Sequence, residues 1–270
     1  MKRRIVGIFL SVGLVVCLAR AAVAQFPSFP VRRCAADAVV AGTVCLDRYE
    51  AGVWRVPDST TTNANLVRRI QLGIASHADL TAGGAMQLGT AGDDYAPCTK
   101  NGQNCANDIY AVSLPSEIPS AFITWFQAEE ACANAGKRLP TSAEWQVGAN
   151  GTPDPGPDDG TTDCDTASDG LSLSGARPSC LSARGAFDMV GNLAEWVADW
   201  VPAPTFCPGW ASFSNDDMCL AGASTTSNFP GALVRGGAFA ALGGPRAGPL
   251  AVHPFPPFRS TSFVGFRCAR

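Results

Sequence analysis

The chain has 270 residues, with 20 Lys and Arg against 23 Asp and Glu, 46% hydrophobic residues and eleven cysteines. The apolar share is enough for a packed core. The balance of charge offers no basic surplus to neutralise phosphates, so neither nucleic acid nor an anionic membrane surface is an expected partner.

The first 24 residues read as an export signal. Lys2, Arg3 and Arg4 precede an uncharged apolar run from Ile5 to Ala19, and Ala22-Val23-Ala24 supplies the small residues of a cleavage site. The run is short for a bilayer span and ends at Arg20. Cleavage after Ala24 removes four basic residues and no acidic ones, leaving sixteen basic against 23 acidic and a net charge of −7. Residues 25–39 then form a lead-in, 40–270 form one domain, and the expected location is secreted or periplasmic. With Cys17 removed, ten cysteines remain, an even number that an oxidising compartment converts to disulfides. No CxxC spacing suggests a thiolate metal site. Close spacing suggests Cys34 with Cys45, Cys98 with Cys105, Cys164 with Cys180 and Cys207 with Cys219, which leaves Cys132 and Cys268; spacing does not settle the connectivity.

Along the chain, Val44 to Glu50 alternates as a strand does. Residues 56–118 are weakly patterned and read as strands and loops. Ala121-Phe122-Ile123 reads as a short strand. Thr124 with Gln127 is a capping box that opens a helix stopped by Gly136, and Thr141 with Glu144 opens a second. Residues 151–178 are rich in Gly, Pro, Asp, Ser and Thr and read as a surface excursion. Ala232–Arg235 and Phe263–Cys268 read as strands, with a Gly-, Pro- and Ala-rich loop over 236–262 between them. Trp125, Trp145, Trp196 and Trp200 fall in apolar periodic segments and are expected in the core, whereas Trp54 and Trp210 lie in looser sequence. The mixture predicts an irregular α+β domain with two helices, short strands and long loops.

Four segments carry a more specific signal: Cys45 to Glu50, Gly136 to Trp145, Gly185 to Trp196, and the closing Arg235-Gly236-Gly237 with Gly265-Phe266-Arg267-Cys268. In this order they resemble the signatures of the formylglycine-generating-enzyme, or sulfatase-modifying-factor, family. The resemblance implies a C-type-lectin-like fold and a disulfide between Cys132 and Cys268. It also implies a structural calcium held by the Asp188 and Glu195 side chains and the carbonyls of Gly191 and Leu193. Carboxylates and carbonyls in a tight turn are the hard oxygen ligands that calcium takes.

The family's catalytic groups are missing. The copper-binding thiolates of its oxidases would fall at Ala241 and Arg246, and no cysteine lies between Cys219 and Cys268. A soft metal is not held by a methyl group. The iron-binding branch uses three histidines, while this chain has His77 and His253. Neither copper nor iron is therefore expected, and no catalytic residue is assigned. The expected role is a non-catalytic binding or structural module, a pseudoenzyme. Its groove would be re-lined by Phe239, Leu242, Arg246 and Phe258 to receive a protein or small-molecule ligand. The alternative is an exported oxidoreductase of the same family with an altered metal site.

Overall fold

The computed structural model describes residues 33–154, 158–223, 230–241 and 244–270. The expected export signal over 1–24 and the candidate groove residue Leu242 lie outside the described residues.

Strands β1 (Ala38–Ala41) and β2 (Val44–Asp47) form an antiparallel hairpin that turns at Gly42, whose φ of +63° suits glycine. The chain bends at Arg48 and Tyr49 and enters β3 (Ala51–Arg55), the centre of a three-stranded antiparallel sheet. Its neighbours are β4 (Met86–Leu88) and β5 (Ile109–Ser113).

A four-stranded sheet forms the other half of the scaffold. Its order is β8 (Gly248–Phe255), β7 (Pro230–Gly236), β6 (Ala194–Pro202) and β9 (Val264–Phe266). β9 runs parallel to β6, and the other pairs are antiparallel. Side chains of β7 alternate between two cores. Ala232 and Val234 join the large cluster around Trp196, Ile123 and Phe266, while Leu233 joins a second around Leu46, Trp145 and Val197. The sheet is thus packed on both faces, which explains the near-continuous apolar run of β7.

Four helices occur among the described residues, where the sequence suggests two. α3 (Trp125–Asn134) and α4 (Ser142–Gly148) begin at the reciprocal capping boxes of Thr124 with Gln127 and Thr141 with Glu144. The additional helices, α1 (Ala64–Gln71) and α2 (His77–Ala82), lie in the weakly patterned 56–118 region. α1 buries Leu66 and Ile70 and packs Val67 partly against the core, a single apolar face on a helix of eight residues, too short to stand out in so polar a stretch. α2 has six residues and starts at a Ser76–Asp79 capping box.

Two further expectations are corrected. β8 occupies part of the expected 236–262 loop. Its Pro249 and Pro254 argue against a central strand, but β8 lies at the sheet edge, where a missing N–H is tolerated. Ala121–Ile123 forms no strand; its backbone serves instead as a hydrogen-bond partner, with the Ile123 carbonyl accepting from the Trp196 indole at 3.1 Å. Trp145 and Trp196 are fully buried as expected, but Trp125 is half-buried and Trp200 is 39% exposed. Trp54, in looser sequence, is buried by pairing of β3 with both neighbours.

Five disulfides close the scaffold: Cys34–Cys45, Cys98–Cys105, Cys132–Cys268, Cys164–Cys180 and Cys207–Cys219. Such density fits an oxidising compartment. Among the described residues no helix is long and apolar enough to cross a membrane.

Candidate functional site

The turn from Asp188 to Glu195 packs against the Arg267 guanidinium. Asp188, Gly191 and Asn192 all have positive φ, and a Cβ on Gly191 would approach the Asp165 carbonyl oxygen to 2.3 Å, so only glycine fits there. Arg267 is fully buried. It donates from Nε to Glu195 Oε2 at 2.7 Å and from Nη2 to Glu195 Oε1 at 2.6 Å. Its remaining donors reach the carbonyls of Asp47 at 3.1 Å and Phe187 at 2.8 Å. The Trp145 indole also donates to Glu195 Oε2 at 2.7 Å.

Glu50 enters the same region from the β2–β3 bend. Its Oε1 accepts from the Leu193 amide at 2.9 Å and its Oε2 from the Asn192 side chain at 2.5 Å. Burial, then the negative charges of Asp188 and Glu195, hold the Glu50 carboxyl well above its ordinary value. Burial likewise pushes Asp188 up to about 6, although its Oδ2 accepts the Gly175 amide at 2.6 Å.

This geometry does not fit the calcium site implied by the family resemblance. Both Glu195 oxygens are committed to Arg267 and Trp145, so a cation at Glu195 would face a buried guanidinium. Asp188 points to Gly175. Among the described residues no group of three or more His, Cys, Asp or Glu is placed to hold a metal ion. Of the residues expected to hold calcium, Asp188, Gly191, Leu193 and Glu195, the Glu195 carboxylate is here tied into an internal ion pair with Arg267.

A cavity of about 560 Å³ opens beside the start of β6 and the end of β7. Ala238, Ala240 and Ala241 form one wall, and Phe255 and Phe263, with ring centroids 6.0 Å apart, form another. Arg246, Asp217 and His253 bring polar groups to it. Gly237 shapes the wall: with φ +77°, it allows the Ala247 backbone to approach where a Cβ would meet Ala247 Cα at 2.4 Å. The 217–219 segment is fastened to β8 by bonds from the Val252 amide to the Asp217 carbonyl and from the Cys219 amide to the Val252 carbonyl. That attachment sets the Cys207–Cys219 disulfide into the cavity wall beside His253. Burial pushes the His253 imidazole below its ordinary value, leaving it neutral near pH 7.

Of the candidate groove residues, Arg246 lines the cavity. Phe239 begins a short 3₁₀ turn over Phe239–Ala241, its amide bonded to the Asn192 carbonyl at 2.9 Å, and does not line it. Phe258 is 52% exposed and also lies outside the lining. The aromatic wall is made by Phe255 and Phe263 instead. The alternation of β8 would have pointed to His253 and Phe255 on one face, had its prolines not masked it as a strand. His77 pairs with Glu117 at 2.6 Å on the surface and is not brought to His253. Ala241 and Arg246, which the family resemblance aligns with copper-binding thiolates, both line the cavity.

Residues 92–270 match the family described as the sulfatase-modifying factor enzyme 1-like domain. No curated protein matches the chain. Similar solved structures include the Major Tropism Determinant P3c variant, with 18% identity over 86% of this chain and 51% of that one, at a TM-score of 0.45. PvdO from Pseudomonas aeruginosa has 19% identity over 84% of this chain and 80% of its own, with a TM-score of 0.43. CarF has 16% identity over 57% and 67%, with a TM-score of 0.35. The chain spans about half the length of the Major Tropism Determinant chain.

Proposed function

The chain belongs to the sulfatase-modifying factor enzyme 1-like family, and from that membership we propose an exported ligand-binding module built on the family's scaffold without its copper chemistry. The observation that carries this reading is the lining of the cavity. The positions of the thiolates hold a methyl group and a guanidinium, and the facing wall is aromatic. Apolar walls with a few convergent polar groups suit a small ligand or a peptide side chain. Arg246 at the exposed rim favours an anionic or carboxylate-bearing ligand. Export is supported by the basic-apolar-small pattern of residues 1–24 and by the five disulfides.

Titration with anilinonaphthalene sulfonate, an apolar anion, tests the cavity. The folded protein is expected to bind it, and Arg246→Glu and Phe263→Asp are each expected to weaken binding by about tenfold. Binding that survives both substitutions would place the ligand elsewhere. Elemental analysis of the same protein would reverse the reading if it found copper or iron at one equivalent per chain.

A further inference from the structure

We propose that the Cys207–Cys219 disulfide is a redox-active centre, exchanging with thiol groups of ligands that enter the cavity. This goes beyond ligand binding and rests on a separate observation, the placement of one disulfide and one imidazole.

Two features distinguish this disulfide. Cys207 is exposed while Cys219 is 2% exposed, and both sulfur-bearing residues line the cavity. In the other four, seven of the eight cysteines are buried and Cys34 is half-buried. Moreover, His253 Nδ1 lies 3.2 Å from Cys219 Sγ. A disulfide sulfur carries no proton, so this contact is favourable with the proton on Nδ1, aimed at Sγ. Nε2 is then a buried acceptor, and it has no hydrogen-bond partner among the described residues. An imidazole with one nitrogen unpartnered and the other against sulfur is placed for chemistry more than for structure.

The exchange follows from this asymmetry. A substrate thiolate attacks the exposed Cys207 Sγ, forming a substrate–Cys207 disulfide. The Cys207–Cys219 bond breaks, and its electron pair leaves on Cys219 Sγ. The Nδ1–H of His253 meets the developing thiolate, which speeds departure by stabilising the leaving group. A second substrate thiolate then attacks the substrate sulfur of the mixed disulfide and releases Cys207 as a thiolate. In sum, two substrate thiols are oxidised to one disulfide, and the chain's disulfide takes up their two electrons and two protons. A low-molecular-weight disulfide restores the oxidised chain by the reverse exchange. The cradle of Cys219, bonded to β8 through Val252, keeps the resolving sulfur in place while the exposed partner accepts the adduct.

The test uses the full folded chain in graded mixtures of reduced and oxidised glutathione, quenched with acid, alkylated and mapped by peptide mass. Cys207 and Cys219 are expected to open about tenfold faster than any other pair, with circular dichroism unchanged. The Cys219→Ser variant is expected to hold glutathione on Cys207, and His253→Gln to slow opening by about tenfold. Earlier opening of another pair, or simultaneous opening of all five on unfolding, overturns the proposal. Unchanged opening in His253→Gln overturns the role given to the imidazole. Glutathione exchange needs no apolar anion in the cavity, so this proposal and the binding reading fail independently.

Discussion

The two ends of β6 show two uses of one strand. At its start, Glu195 and Trp196 are buried, and Glu195 is locked by Arg267 and Trp145. At its end, Trp200 to Pro202 reach the surface and lead into the excursion that carries Cys207, Asp217 and Cys219 to the cavity. The locked end consists of family-signature residues and joins Asp47, Phe187 and Arg267 from distant parts of the chain. The open end lies outside the signatures and leads to the excursion that supplies part of the cavity wall, which Ala194 at the locked end also lines. The scaffold's strongest constraints therefore act on folding, and the site is free to change chemistry without disturbing them.

The largest test of this contrast removes the long staple. Cys132 and Cys268 are 136 residues apart, so replacing both by Ser should cost about 4–5 kcal/mol in urea unfolding, on the chain-entropy account. A loss below about 1 kcal/mol would show that residual structure already holds the ends together in the unfolded chain.

Arg267→Met comes next. It leaves the buried Glu195 carboxylate without its counter-charge, with an expected loss of about 3–5 kcal/mol. Adding calcium to this variant or to the unmodified chain should leave the melting temperature unchanged. A calcium-dependent rise in the unmodified chain would mean that Arg267 yields Glu195 to the ion.

The pH response is smaller and has a definite sign. A buried carboxyl whose folded value is raised binds more protons folded than unfolded. Its stability contribution is complete below the unfolded value and declines as pH rises towards the folded one. For Asp188 this window runs from its ordinary 3.8 to about 6. Glu50, also raised, continues the decline to higher pH. With a chelator present, Asp188→Asn should flatten the fall of the unfolding midpoint between pH 4 and pH 6. An equally steep fall in the variant would assign it to Glu50.

The smallest effect belongs to the cavity wall. Phe263→Asp, at a partly exposed position on the cavity wall, should change unfolding stability by about 0.5 kcal/mol or less while weakening probe binding about tenfold. A large loss of stability would make the aromatic wall part of the core and erase the contrast.

Local chemistry was legible where a few adjacent residues suffice to define it. The boxes at Thr124 and Thr141 start helices because each satisfies free backbone N–H groups within one turn. α1 was not legible, because its one short apolar face of Leu66, Val67 and Ile70 does not stand out in a polar stretch, and β8 was hidden by prolines that only an edge position accommodates. In the cavity, Arg246 could be found by counting from Gly237. Phe255 and Phe263 could not, because their facing each other depends on how β8 and β9 flank the sheet.

Thus the sequence by itself determined the family, the α+β class, two helix starts and the loss of the thiolate pair, since each rests on residue identity or on short-range hydrogen bonding. Tertiary structure alone decided that Arg267 takes Glu195, 72 residues away, and that His253 rests on Cys219, 34 residues away. Such pairings depend on which strands become neighbours, and sheet order β8-β7-β6-β9 is a property of the whole packed chain.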